Sequence, residues 1–188
     1  MGVLKVISPD EGAVEALQHF NGDVASVLAY ATRQGGVHGW DLRSSRDAFY
    51  FDVRPELGSS TAMTLAPDRS WIIVGTSRGF LLLWDLRYNV LCKLWRHSSR
   101  GPIHRLACCK SLRQAVNSTQ FPTSSPALAD TEGSYLFVAA GDNELAIFGL
   151  PEAGECLKCF RSIPLSKSRE KISPLPFLED VPLPRSPG

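Results

Sequence analysis

The stretch Gly79-Phe80-Leu81-Leu82-Leu83-Trp84-Asp85-Leu86-Arg87 aligns without a gap with Gly35-Gly36-Val37-His38-Gly39-Trp40-Asp41-Leu42-Arg43. Trp-Asp-Leu-Arg therefore recurs after 44 residues, and a glycine precedes each copy at the same offset. A Trp-Asp pair with a period of about 40–45 residues is typical of WD-repeat propellers, in which each repeat is one four-stranded blade. The repeat predicts an all-β chain that forms part of a β-propeller.

A third, weaker copy of the repeat runs from Leu136 to Phe148. Asn143 stands where the glycine stood, and asparagine tolerates the left-handed backbone conformation better than most residues. Phe148 keeps the aromatic bulk of the tryptophan, while the following aspartate is lost. The residues that mark the three copies, all of them expected to be structural, are Gly35, Trp40, Asp41, Gly79, Trp84, Asp85, Asn143 and Phe148.

The register divides the chain into about three blades. We expect a partial propeller over residues 1–162, with blades near 21–52, 58–98 and 102–162, a loop insertion at 110–132, and a Pro-rich tail at 163–188 that forms no central strand. In blade one the predicted strands are Val24–Val27, Leu28–Thr32, Val37–Leu42 and Ala48–Phe51. In blade two they are Thr61–Leu65, Trp71–Thr76, Phe80–Leu86 and Leu91–Arg96. In blade three they are Ile103–Ala107, Tyr135–Ala140, Glu144–Leu150 and Glu155–Arg161. An outer strand of a preceding blade is placed around Leu4–Ile7.

The tryptophans are expected on the third strands, packed between neighbouring blades, because a large aromatic side chain carries much of such a contact. The aspartates that follow them should hold turns by accepting backbone N–H bonds. Many WD repeats also carry a buried Trp–Ser/Thr–His–Asp hydrogen-bond chain. Here Gln34 and Arg78 replace its aspartate, so packing is expected to dominate. His19 and His97 are interpreted as structural residues between blades.

Composition and motifs argue against several functions. The formal net charge of +1 provides no global attraction for nucleic acid. Glycine-rich phosphate loops, nucleophile elbows and kinase signatures are absent from the sequence. We therefore expect no catalytic residue, cofactor site or metal site, and a cytosolic context follows from the lack of a signal-peptide pattern. The basic runs 96–100 and 167–171 are interpreted as solvated faces, with contact to phosphate or anionic lipid as the alternative.

Five cysteines leave a thiol function open. Cys92, Cys108 and Cys109 are expected to be buried thiols. Cys156 and Cys159 form a Cys-x-x-Cys pair, but no second pair completes a zinc site, and the pair is predicted on a strand rather than at a helix N-terminus. A small thiol or metal protein that uses Cys156 and Cys159 is the alternative from another functional class.

Beyond the repeat, the sequence resembles one family of proteins. The matching words are Val27–Thr32, Gly36–Ser44, Ile73–Gly79, Trp84–Arg87 and His97–Leu106. They resemble the C-terminal WD-repeat propeller of the large regulatory subunits of class III phosphatidylinositol 3-kinase complexes. The resemblance covers residues 20–107 closely and 134–161 loosely.

The resemblance implies a non-catalytic scaffold that docks other protein subunits of a lipid-kinase complex in autophagy and endosomal vesicle sorting. It implies no nucleic-acid partner. The location would be cytoplasmic and peripheral on endosomal or autophagic membranes, through the complex only. Full-length members carry a kinase-like domain, which has no counterpart in this sequence. The alternative is an unrelated WD-repeat adaptor such as a substrate receptor of a ubiquitin ligase.

A seven-blade ring needs roughly 300 residues, so the chain is interpreted as a fragment, a truncated gene model or a splice product. Its open blade faces are expected to be lined by third-strand residues such as Leu81, Leu83 and Ile147, and to cause self-association.

Overall fold

The computed structural model describes residues 7–21, 25–44, 46–110, 134–141, 143–150 and 156–161. Within these ranges the backbone forms three four-stranded antiparallel sheets and two single-turn 3₁₀ helices, Pro9–Glu11 and Pro55–Leu57, without an α-helix. Each sheet is one blade, and its strands follow one another in chain order. The predicted fold class, an all-β partial propeller of about three blades, is confirmed.

The strands run alternately between two ends of each blade. Blade one contains β1 (Val14–Asn21), β2 (Ser26–Thr32), β3 (Gly36–Asp41) and β4 (Arg46–Asp52). Blade two contains β5 (Ser60–Leu65), β6 (Trp71–Thr76), β7 (Phe80–Asp85) and β8 (Val90–Arg96). Blade three contains β9 (Ile103–Cys109), β10 (Ser134–Ala140), β11 (Glu144–Leu150) and β12 (Cys156–Arg161).

We call the end that carries the β2–β3, β6–β7 and β10–β11 turns the upper end. The connections from β4 to β5 and from β8 to β9 also lie there, since Val53 N–H donates to Gly35 O and His97 N–H donates to Gly79 O. The opposite end, with the β3–β4 and β5–β6 turns, is the lower end.

In blades two and three the strands predicted from the repeat are confirmed to within a few residues at each boundary. In blade one the first strand was predicted wrongly. Val24–Val27 is not a separate strand, because Ser26 and Val27 already belong to β2. The first strand is β1, which pairs with β2 from Val14 opposite Thr32 to Asn21 opposite Ser26. Blade one therefore begins before residue 21.

A second repeated pattern in the sequence precedes β1. The 3₁₀ helix Pro9–Glu11 is followed by Gly12 and then β1, just as Pro55–Leu57 is followed by Gly58 and then β5. Both glycines have positive φ, +73° and +92°, and each donates its N–H to the carbonyl of the proline three residues earlier. A proline at the first helical position and a glycine just beyond the end are the usual limits of such a turn.

Two apolar clusters join the blades. Between blades one and two, Val37 and Phe51 pack with Ile72, Val74 and Trp84. Between blades two and three the opposite faces of the same strands are used, and the cluster there contains Ile73, Leu81, Leu83, Leu136 and Phe148. Blade two is covered on both faces, which is why β6 and β7 read as nearly continuous apolar runs.

This arrangement corrects one expectation about the open faces. Leu81 and Leu83 do not line an open face, since they are 0 % and 2 % exposed in the contact with blade three. Ile147 alternates with the buried Ala146 and Phe148 on β11 and lies half-buried on the other face of that blade.

Several predicted segments lie outside the described residues. These are the insertion at 110–132 beyond Lys110, the tail at 163–188, and the strand around Leu4–Ile7, of which Ile7 alone is described and is not in a strand.

Candidate docking surfaces

The markers Gly35, Gly79 and Asn143 occupy the same place in three corresponding turns. Their φ angles are +107°, +79° and +65°, all in the left-handed half of conformational space. A Cβ on Gly79 would lie 2.7 Å from Gly101 O, and one on Gly35 would collide with Val53 O. Each glycine is thus required by its backbone angle and by the connection that passes beside it, whereas asparagine occupies the third turn.

The aromatic markers face the preceding blade. The Trp84 ring stacks on Phe51 of blade one, with centroids 5.2 Å apart and an interplanar angle of 15°. Phe148 makes an edge contact with Trp95 of blade two at 5.9 Å. Trp40 holds the corresponding position in blade one and therefore lies on the face that points away from blade two, with 8 % of its surface exposed.

Asp41 and Asp85 brace turns at the lower end. Asp41 Oδ1 accepts the Arg43 N–H at 3.0 Å, and Asp85 Oδ1 accepts the Arg87 N–H at 2.8 Å. Asp85 also accepts from the Trp71 indole at 3.3 Å and from the Arg87 guanidinium at 2.6 Å. The Arg87 bond holds the pKa of Asp85 far below its ordinary value, and the Arg43 backbone bond lowers the pKa of Asp41.

The threonines next to the upper turns serve the backbone. Thr76 Oγ1 donates to Leu57 O at 2.7 Å and accepts the Phe80 N–H at 3.1 Å, while Thr32 Oγ1 donates to Gly36 O at 3.1 Å. The bonds of Thr76 with Phe80 and of Thr32 with Gly36 close turns within a blade, and the bond of Thr76 with Leu57 holds the β4–β5 connection.

The two histidines considered from sequence have different surroundings. His97 is buried at the junction of blades two and three, as predicted. Its Nδ1 lies 2.9 Å from Ser99 Oγ and 3.7 Å from Glu144 Oε2. His19 is exposed on β1, where Nε2 lies 2.9 Å from Ser26 Oγ, so its placement between blades was wrong.

The outer face of blade one carries a cluster that sequence reasoning missed. His38 is sandwiched between Tyr30 and Tyr50, with both centroid distances 4.8 Å, and its Nε2 lies 2.7 Å from Glu11 Oε2. Partial burial and the carboxylates of Asp52 and Glu11 raise the pKa of Tyr50. Tyr30, His38 and Tyr50 lie opposite one another on three neighbouring strands. The sequence contains these three rings, but only the strand register shows that they share one face.

The outer face of blade three is mainly apolar. Phe137 on β10 and Ile147 on β11 are direct cross-strand neighbours, and both are half-buried. Leu145 on the same face is 56 % exposed. On blade one, Leu17 and Tyr50 are 63 % and 57 % exposed. None of the described blades covers these two outer faces, which are therefore the candidate docking surfaces.

The cysteines were only partly predicted. Cys156 and Cys159 lie on a strand, β12, as expected. Cys92 is exposed on β8 rather than buried, and Cys108 and Cys109 are half-buried on β9. Burial raises the pKa of Cys108 to about 12. No group of three or more His, Cys, Asp or Glu side chains among the described residues is placed to hold a metal ion. In the same part of the chain, no helix has the length and apolarity to cross a membrane.

Comparison with known proteins agrees with this geometry. Residues 5–128, more than half of the chain, match the family model of a β-propeller domain described as "Nucleolar protein 10-like, N-terminal domain". The chain belongs to this β-propeller family.

Curated relatives of this propeller point to one kind of protein. "Probable serine/threonine-protein kinase vps15" of Dictyostelium discoideum is 42% identical over 88 residues, or 47% of the chain and 4% of that relative. "Serine/threonine-protein kinase VPS15" of Arabidopsis thaliana is 31% identical over 164 residues, 85% of the chain and 10% of the relative. The Saccharomyces cerevisiae protein of the same name is 27% identical over 107 residues, 57% and 7%.

The propeller spans a tenth or less of the length of these relatives. It is similar to a propeller segment of VPS15 proteins, which confirms the predicted resemblance. The matched region is a β-propeller rather than a kinase domain, so the kinase activity in the relatives' names lies elsewhere in those proteins.

Proposed function

We propose that this propeller segment is a non-catalytic docking scaffold in the regulatory subunit of a class III phosphatidylinositol 3-kinase complex. The observation that carries the proposal is the VPS15 match over 85% of the chain, which is too long to leave out any of the three blades. The two outer faces, aromatic on blade one and apolar on blade three, are surfaces of the kind that become buried when a protein partner binds.

The cellular role that we propose is endosomal vesicle sorting and autophagy. The segment would act in the cytoplasm and reach endosomal or autophagic membranes through the protein subunits of the complex. Recognition of protein partners through exposed aromatic and apolar side chains requires neither a cofactor nor nucleic acid.

The test is co-precipitation with an activity readout. The tagged 188-residue chain is expressed in cells and precipitated, and formation of phosphatidylinositol 3-phosphate is measured in the precipitate. We expect lipid-kinase activity above that of a tag-only control, and its loss in an Ile147→Lys, Leu145→Lys variant. A precipitate without lipid-kinase activity that contains ubiquitin-ligase subunits would instead support an unrelated adaptor.

A further inference from the structure

Three arginines converge at the upper end of blades two and three. We propose that Arg78, Arg96 and Arg100 form a docking point for an acidic segment of a partner protein. This inference rests on the proposed scaffold function and specifies the chemistry of one contact. It also assigns a role to the basic run at 96–100, which is not part of either outer face.

Gly79 is the centre of the cluster. Arg78 precedes it in the β6–β7 turn, and a Cβ on Gly79 would lie 3.2 Å from the Cα of Arg100. Arg100 has a φ of +55° in the β8–β9 connection, where its N–H donates to His97 O at 3.0 Å. The left-handed conformation is uncommon for an arginine. This turn therefore holds Arg100 beside the glycine and exposes its side chain.

Backbone contacts orient the other two guanidinium groups. Arg78 Nη1 donates to Glu56 O at 2.8 Å, and Arg96 Nε donates to Arg78 O at 3.0 Å. The Arg96 guanidinium also lies 4.8 Å from the centre of the Phe80 ring. A guanidinium has five N–H donors, so each of these arginines keeps donors for a ligand after its structural bond is made.

The charge of the cluster is not neutralised within the described residues. The arginines that form ion pairs there are others, namely Arg33 with Glu15, Arg54 with Glu56, and Arg87 with Asp85. Arg78, Arg96 and Arg100 are all exposed and form no such pair. Three positive charges oriented in this way fit successive carboxylates, because the planar guanidinium fork binds a carboxylate through two parallel hydrogen bonds.

A peptide fits this end better than a lipid bilayer does. The upper end also carries carboxylates, among them Asp10, Glu11, Asp52 and Glu56, with the Glu56 side chain 64% exposed. A flat anionic membrane that covered the whole upper end would meet these carboxylates as well, whereas a single extended acidic segment can contact the three arginines alone.

The experiment measures binding of a fluorescein-labelled oligoglutamate to the 188-residue chain, immobilised at low density to prevent self-association. The site variant is Arg78→Gln, Arg96→Gln, Arg100→Asn, because asparagine tolerates the positive φ. The matched control is Arg43→Gln, Arg46→Gln, Arg69→Asn at the lower end. Arg69 likewise has a positive φ, +61°, and donates to a backbone carbonyl, that of Asn21. Both variants lose three positive charges.

We expect the site variant to weaken oligoglutamate binding by about tenfold near physiological salt and the control by less than about twofold. Equal losses in both variants would reduce the effect to net charge and overturn the proposal. Binding to phosphatidylserine vesicles instead of the peptide, with the same arginine dependence, would also overturn it in favour of a lipid contact. Urea unfolding monitored by tryptophan fluorescence shows whether each variant is folded, and binding is compared only between folded variants.

The lipid-kinase precipitation separates this inference from the proposed function. A site variant that loses the peptide but still precipitates lipid-kinase activity leaves the scaffold intact and confines the acidic contact to one partner segment. If the chain binds the peptide through the arginines but precipitates no lipid-kinase activity, the proposed complex is contradicted and the acidic contact is not.

Discussion

Asp85 combines near-complete burial with a full set of partners at the lower end of β7. It is 5 % exposed, and its carboxylate receives the Arg87 backbone and guanidinium N–H groups and the Trp71 indole N–H. A buried carboxylate is stable only when its oxygens are bonded in this way. The two residues of the Trp-Asp pair thus have different roles. The tryptophan packs between blades, and the aspartate fixes the turn that follows.

The lowered pKa of Asp85 predicts an acid-dependent stability. A carboxyl with a folded-state pKa below its ordinary value of 3.8 contributes stability that is fully present above 3.8. That contribution is lost as the pH falls through the folded-state pKa, because the unfolded chain then binds the proton first. We expect the difference in urea midpoint between wild type and Asp85→Asn to be largest at neutral pH and to shrink below pH 3.8. A difference that stays constant from neutral pH to pH 3 would contradict the assigned partners.

At the scale of the element, the repeat predicted strands well wherever a Trp-Asp or Phe marker fixed the register. The marker lies on the third strand, and the pairings of β6 with β7 and of β7 with β8 follow from it within one blade. The first strand of a blade is separated from the marker by two turns, so its position depends on turns of variable length. In blade one the segment Val24–Val27 was assigned to the first strand, whereas Ser26 and Val27 already begin β2, so β1 was missed. The Pro-x-x-Gly pattern before β1 repeats in front of β5.

The outer faces were beyond sequence reasoning for a different physical reason. Leu81, Leu83 and Ile147 all read as third-strand apolar residues, and alternation alone does not say which face a neighbouring blade covers. The arginine cluster could not be predicted from sequence either. Arg78 and Arg100 lie close together because the backbone of the β8–β9 connection passes beside Gly79.

The contact between blades one and two predicts the cost of losing Trp84. Its side chain is 4 % exposed and stacked on Phe51, so Trp84→Ala should lower the free energy of unfolding by about 3–5 kcal/mol. Trp95 on β8 is half-buried near the outer edge, where its ring meets Phe148 edge-on. Trp95→Ala is therefore the matched control and should cost less. Urea melts of the two variants give the comparison, and a larger loss for Trp95→Ala would show that the blade contact is not centred on Trp84.

At the scale of the whole molecule, the three blades form a row rather than a closed ring. Blade two is sealed by its neighbours on both faces, whereas one face of blade one and one face of blade three have no neighbour among the described blades. These two faces differ, so contact between them would be head-to-tail. Such contacts build either rings or open chains of molecules.

The 188-residue chain in isolation is therefore expected to self-associate. Phe137, Leu145 and Ile147 present an apolar surface on blade three, and Leu17 and Tyr50 do so on blade one. Repeat arrays need terminal units with polar outer faces to remain apart in solution. Light scattering should give a mass that rises with protein concentration. Leu145→Lys should lower that mass, because it places a charge on the apolar blade-three face. Leu94→Lys is the control, since Leu94 is 44 % exposed on β8, at the outer edge of blade two and away from both faces. A monodisperse monomer with a single cooperative urea transition would show instead that three blades suffice, since the outer faces would then be tolerated in water without a partner.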